Sequence, residues 1–221
     1  MLGTDGPSAG AVLSAAGAAV AALATKNLAD RVVPVGSRTV KAVWAFSDES
    51  ERAGVMLLSV VLISPGDLAA ARVQLSGLLL PGQRRVHTSD ESDRRRKLVI
   101  DAVARTEGMS AVVVRYRRPA GLGRVAARHL LLQAATGLVV GSGATAWALD
   151  NQDPAQVVRD RASIAHALEG VDRRLHPSYD HRPASSEPML WAADATCWAA
   201  GAGGDWQRRL GGVVTVRDIG P

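Results

Sequence analysis

Three aspartates stand in this sequence where apolar side chains are expected. Asp48 closes the run VWAFSD, Asp150 closes ATAWALD, and Asp194 lies inside MLWAADATCWAA. By the two-residue period of a strand, Asp48 shares a face with Val40, Ala42, Trp44 and Phe46. Asp194 has Leu190, Trp191, Cys197 and Trp198 three and four positions away, too deep in a helix for a cap or the helix dipole to explain it. A charge in such a setting needs a partner. Carboxylates brought together repel one another unless a cation neutralises them, and hard oxygen donors at that density suit Mg²⁺ or Mn²⁺. Two such ions activate water and stabilise the leaving oxygen in phosphodiester cleavage. Glu49 is the fourth candidate ligand, although strict alternation turns it to the opposite face unless the strand breaks there. Taken singly, each acid also fits a cap, a wet surface or a salt bridge to one of the many arginines. The coincidence of three favours a common site.

Other polar groups bear on the same chemistry. His87, just before a helix start, has an unperturbed pKa near neutrality and suits a general acid or base, or a substrate contact; a locally hydrogen-bonded loop histidine is the plainer alternative. Arg94, Arg95 and Arg96 form one basic run, and Arg115, Arg117 and Arg118 another; both could line a groove for nucleic acid, though a charge run on a helix is commonly only its wet face. His129 and His166 read as packing or surface residues inside helices, and His176 and His181 as part of a solvated loop. Glu51 reads as a solvated turn. Cys197, on an apolar helical face, reads as an inert thiol, and no serine or cysteine hydrolase pattern is present.

These residues must be positioned by alternating strands and helices. Residues 39–48 and 53–63 read as an antiparallel pair joined by the short charged connection ESER. A helix follows between Pro65 and Pro81, then an extended RRVHTS, then a helix introduced by the capping-box spacing of Thr88 and Glu91. SAVVVRYR is a strand, GLGRVAARHLLLQAATGLV a helix, ATAWALD a strand, and Asp153 with Pro154 opens the next helix. A polar loop, VDRRLHPSYDHRPASS, leads to a helix starting near Glu187 and Pro188, and GGVVTVRDI offers a short strand. A strand pair followed by alternating units predicts an α/β fold, a mixed sheet with helices on both faces. A ribonuclease H-like arrangement fits this order. A flavodoxin-like or Rossmann arrangement fits less well, because no glycine-rich phosphate loop follows the first strand.

Composition narrows the rest. With 221 residues, 47% of them hydrophobic, the chain suits one globular domain of residues 37–221, preceded by an accessory helix and linker over residues 1–36. Residues 9–24 carry no charge, yet the segment is short for a bilayer, is dominated by alanine and lacks a positive start, so it reads as a packed helix and not as a signal or a membrane span. One cysteine excludes an internal disulfide and a cysteine zinc cluster, and points to the cytoplasm. The net charge of +5 permits an anionic partner. Aromatics at 4% argue against single-strand binding by stacked bases.

The succession FSDES after an apolar strand, the histidine of RRVHTSD, the aspartate of WALDN and the alanine-aspartate of LWAADATCWA resembles the bacterial family designated domain of unknown function 3800, from about residue 42 onward. The resemblance implies a ribonuclease H-like domain with an Asp-Glu motif and a Gln-x-x-Asp motif that bind metal. Carried over, the first is Asp48 and Glu49, and the second ends at Asp194. Trp191 occupies the glutamine position, a departure that leaves two expectations: a metal-dependent nuclease, or a non-catalytic interaction module for nucleic acid or protein with a degenerate metal site.

Overall fold

A computed structural model describes residues 43–220. The expected accessory helix and linker lie outside the described residues. Strands β1 (Val43–Arg52) and β2 (Val55–Ile63) form the antiparallel pair. Helices α1 (Pro65–Ser76) and α2 (Asp93–Ala104) lead to β3 (Met109–Arg117), after which α3 (Arg124–Gly141), β4 (Ala144–Asp150), α4 (Pro154–Ala167) and β5 (Ser178–Arg182) follow. The described chain closes with α5 (Pro188–Ala202), a short α6 (Gly204–Arg209) and β6 (Val214–Asp218). The six strands lie in the order β5-β4-β1-β2-β3-β6, and β2 alone runs against the other five. This is the expected ribonuclease H-like arrangement: an antiparallel opening, parallel strands added beside β1, and a closing helix laid across the sheet.

Helices cover both faces. On one, Phe46, Val61, Ile63 and Ala148 of the sheet pack against Leu68 and Leu75 of α1, Val99 and Val103 of α2, and Met189 and Leu190 of α5. On the other, Ala45, Val60, Trp147 and Leu149 pack against Leu130 and Leu131 of α3 and Ile164 of α4. Helix α5 is buried on nearly every side, which its alanine-rich, apolar sequence permits. Its position over the sheet is pinned by a buried hydrogen bond of 2.6 Å between the hydroxyls of Ser59 and Thr196.

Several boundaries differ from the sequence reading. β1 continues past Asp48 to Arg52, so Glu49 and Glu51 are strand residues and the connection shrinks to Ala53 and Gly54. Both have positive φ, 50° and 75°, as the two-residue turn between tightly paired strands requires. Thr88 opens only a 3₁₀ turn, Thr88–Asp90, and the cap of α2 is Ser92, whose hydroxyl accepts the Arg95 N–H. The polar loop contains β5, a short edge strand whose polar sequence hides its alternation.

The second face is held by a buried charged network. Arg128 on α3 donates Nε and Nη2 to Asp160 on α4, at 2.8 and 2.7 Å, and reaches Glu49 on β1 with Nη1. Gln156 donates to Asp160 at 2.7 Å, and His181 of β5 lies 3.0 Å from it. Burial opposes ionisation of Asp160, but the hydrogen bonds from Arg128, His181 and Gln156 outweigh it and hold this carboxyl below the usual range. Its contribution to stability is therefore complete above about pH 4 and is lost as the pH falls below that value. At neutral pH Asp160→Asn, which leaves Arg128 half-paired in the interior, is expected to lower unfolding free energy by about 3–5 kcal/mol. Urea denaturation measures this, and a loss below about 1 kcal/mol would show that the network does not anchor α4.

Candidate metal centre

The pleat of β1 sends Asp48 to the α5 face, in one row with Ser59 of β2 and Val113 of β3. Asp150 ends β4 on that same face, two residues beyond Ala148. Asp194 comes down from α5, fixed in register by the neighbouring Thr196–Ser59 hydrogen bond. Two strands and one helix thus deliver one carboxyl each to the carboxyl-terminal edge of the sheet, the edge at which open α/β sheets place their ligands. The crossover from β3 to β4 also changes side at β1, the strand that carries Asp48.

The electrostatics of the three acids agree with this convergence. Burial pushes the Asp48 carboxyl well above the usual carboxylate range, and Asp194 and Asp150 push it further. Burial also raises Asp194, partly offset by the Thr88 N–H, His87 and Arg85. Burial raises Asp150, against the N–H of Asn151, Arg85, the N–H of Ala184 and His87. Two of the acids already hold backbone donors: Asp194 Oδ2 accepts the Thr88 N–H at 2.6 Å, and Asp48 Oδ1 accepts the Glu49 N–H at 2.7 Å. Among the described residues no three acidic, histidine or cysteine side chains stand as a formed metal-holding group. The donor chemistry nonetheless fits a hard divalent cation, which would offset the burial that raises all three carboxyls and the repulsion that Asp48 feels from the other two.

His87 belongs to the same site. Its Nε2 lies 4.0 Å from Asp194 Oδ1 and its Nδ1 lies 2.9 Å from Asp90 Oδ2, with the side chain 37% exposed. The ring therefore bridges the acidic centre and solvent. Arg85, which sequence reasoning passed over, lends positive charge to both Asp150 and Asp194. Trp191, at the expected glutamine position, is buried and donates its indole N–H to the Ala184 carbonyl at 2.7 Å. Since the Ala184 N–H faces Asp150, the indole steadies the loop beside an acid and does not intrude on it.

Glu49 requires correction as a metal ligand. β1 does not break at Asp48, so Glu49 stays on the opposite face, where it pairs with Arg124 at 2.6 Å and with Arg128. His181 is likewise no loop residue but a buried member of the Asp160 network, its side chain only 3% exposed. His129 hydrogen-bonds Ser163 at 2.7 Å and stacks near His166 between α3 and α4, on the face away from the acids. Cys197 is fully buried, and burial pushes its thiol well up, as an inert core cysteine requires.

The basic runs are largely consumed within the fold. Arg95 donates to the Leu78 carbonyl and to Glu91; Arg96 donates to the carbonyls of Thr88 and Ser89 and to Asp93, and lies over Trp198. Arg115 forms a bidentate pair with Asp218 at 2.6 and 2.8 Å, and Arg118 pairs with Glu51 at 2.6 Å. Arg94 and Arg117 remain exposed. Among the described residues no helix is long and apolar enough to cross a membrane. Compared with protein families, with curated proteins and with solved structures, the chain matches none.

The raised acids set the sign of the pH response. A carboxyl whose pKa is higher folded than unfolded binds its proton more tightly in the native state, so these three carboxyls favour the folded, metal-free protein increasingly as the pH falls from neutrality toward about 4. Asp48→Asn removes one repelling charge and is expected to raise the stability of the metal-free protein at neutral pH by about 0.5–2 kcal/mol, while flattening that gain on acidification. Denaturation of both proteins in chelator, from pH 7 downward, checks the two effects together. A destabilised Asp48→Asn would mean that its carboxylate is held by favourable contacts instead.

Proposed function

We propose that this protein is a metal-dependent phosphodiesterase acting on nucleic acid, with Asp48, Asp150 and Asp194 as the ligands of Mg²⁺ or Mn²⁺. The observation that carries this reading is the delivery of three buried or half-buried carboxyls, each raised by its surroundings, to one sheet edge by β1, β4 and α5. Bound there, such ions would activate water and stabilise the leaving oxygen of a phosphodiester. His87, bridging Asp194 and the solvent-exposed Asp90, would carry protons to and from the reacting groups. Arg85 would help hold an anionic substrate beside the acids. The resemblance to the domain of unknown function 3800 family points the same way, and the contact between Trp191 and Ala184 accounts for a tryptophan at the glutamine position without loss of the site.

The alternative, an interaction module with a degenerate site, differs in what metal does. On the catalytic reading, Mg²⁺ or Mn²⁺ raises the melting temperature of the parent protein, by an amount that corresponds to about 2.7 kcal/mol at a hundredfold excess over the dissociation constant. The rise is expected to be much smaller in Asp48→Asn and Asp194→Asn. A panel of single-stranded and duplex RNA and DNA, incubated with each metal, is expected to show cleavage that both variants lose. A parent protein indifferent to both metals and inert on every substrate would leave the module reading standing.

A further inference from the structure

A second concavity opens on the α5 face of the sheet, farther toward its carboxyl-terminal edge than the acids. Its volume is about 510 Å³, within the range of small-molecule sites. Val55, Leu57 and Ala200 form its floor, while Arg52, Arg115 and Arg117 bring guanidinium groups to it. The placement follows from register. Leu57 pairs with Ser50 and Arg115, and Val55 with Arg52 and Arg117, so two successive pleat rows beyond Asp48 carry the arginines. Arg52 stands four residues past Asp48 on the same strand face, about 13 Å along β1.

The three arginines are not equivalent. Asp218, delivered by β6, accepts from Nε and Nη2 of Arg115 in a bidentate pair. Arg52 lies over the Trp198 ring, 5.3 Å from its centroid, and among the described residues no carboxylate hydrogen-bonds Arg52 or Arg117. Arg117 contributes only a longer-range pull that helps hold the Asp218 carboxyl down, after the Arg115 hydrogen bond. One acid against three arginines leaves the concavity positive. A small apolar floor beneath guanidinium groups that no described carboxylate hydrogen-bonds suits a unit that presents a phosphate together with a compact ring.

We propose that this pocket seats a nucleotide of the substrate strand, its phosphate held by Arg52 and Arg117, a few nucleotides from the bond cleaved at the aspartates. The inference rests on the nuclease reading and adds to it a defined subsite, which joins Arg52 to Arg117 of the second basic run. β6 then has a role beyond extending the sheet: Asp218 withholds Arg115 from the ligand and moderates the grip.

Binding of the full chain to a short fluorescein-labelled single-stranded oligonucleotide, as DNA and as RNA, tests this by anisotropy in chelator. Arg52→Gln and Arg117→Gln are each expected to weaken binding roughly tenfold and to reduce the slope of log affinity against log salt by about 1. Arg161→Gln, on an exposed position of α4 on the opposite face, serves as the control and is expected to bind as the parent does. Asp218→Asn, which releases Arg115, is expected to tighten binding. Inorganic pyrophosphate is expected to compete, whereas poly-glutamate at equal charge is expected to compete poorly. Parental affinity in both arginine variants, or no binding of either oligonucleotide at low salt, would overturn the proposal. Metal-dependent cleavage by the parent and by Asp48→Asn, followed in parallel, separates the two failures. Binding that depends on Arg52 and Arg117 without any cleavage refutes the nuclease and keeps the pocket, and cleavage that depends on Asp48 with both arginine variants binding normally does the reverse.

Discussion

Neighbouring side chains on a strand point to opposite faces, and in β1 that constraint separates two adjacent acids into opposite fates. Glu49 goes to the α3 face and is met by Arg124 and Arg128. Asp48 goes to the α5 face and is met by two more acids. The first arrangement is closed in charge: Arg128, Gln156 and His181 all meet Asp160, Arg128 also reaches Glu49, and together they tie α3, α4 and β5 to the sheet. The second is open, since burial raises all three acids and Asp150 and Asp194 raise Asp48 further, with no basic side chain among the described residues hydrogen-bonded to Asp48. A one-residue slip of β1 would exchange the two acids, leaving Arg128 without Glu49 and placing the apolar row of Trp44 and Phe46 on the wrong side, so the closed network also fixes the register on which the open site depends.

Much of this arrangement is legible in the sequence, and the reasons are physical. Asp48, Asp150 and Asp194 stand out because apolar surroundings make a carboxyl costly, and strand and helix periods alone place them on core-facing positions. The ribonuclease H-like order follows from a strand pair succeeded by alternating units. The end of β1 is misread because Glu49 and Glu51 look like turn residues until their arginine partners, distant in sequence, are known. β5 is hidden for a related reason: SYDHR is polar, and its inward histidine is tolerated only because Asp160 waits for it. Long-range pairing of charges leaves no local signature. The same holds for the arginine runs, whose clustering in sequence suggested a groove while their guanidinium groups are mostly spent on carbonyls and acids within the fold.

The acidic centre and the arginine-lined concavity lie on one face because the strands that carry them are in register, and α5 spans both. Thr196 anchors this helix beside Asp48, while Ala200 and Gly201 near its end line the second pocket. Gly201 packs with little slack: a Cβ there would come within 3.3 Å of Leu57 Cδ1. Small residues thus let the helix lie close to the sheet at the far end, while the hydroxyl pair sets its position at the near end. Trp198 stands between, packed edge-on against Trp206 at 5.2 Å and flanked by the guanidinium groups of Arg52 and Arg96.

Because α5 follows five of the six strands in the chain, a ribosome releases it late. At synthesis rates of about 5–20 residues per second, the nascent sheet waits seconds with Phe46, Val61 and Ile63 covered on that face only by what α1 and α2 supply. During this interval the chain holds only two of the three aspartates, so it cannot yet assemble the full acidic centre. Arrival of one alanine-rich helix then finishes the cover of that apolar face and completes the acidic centre in the same step. A half-made chain therefore exposes apolar surface while holding two of the three aspartates, and a premature stop before residue 188 leaves a product with that liability and without Asp194.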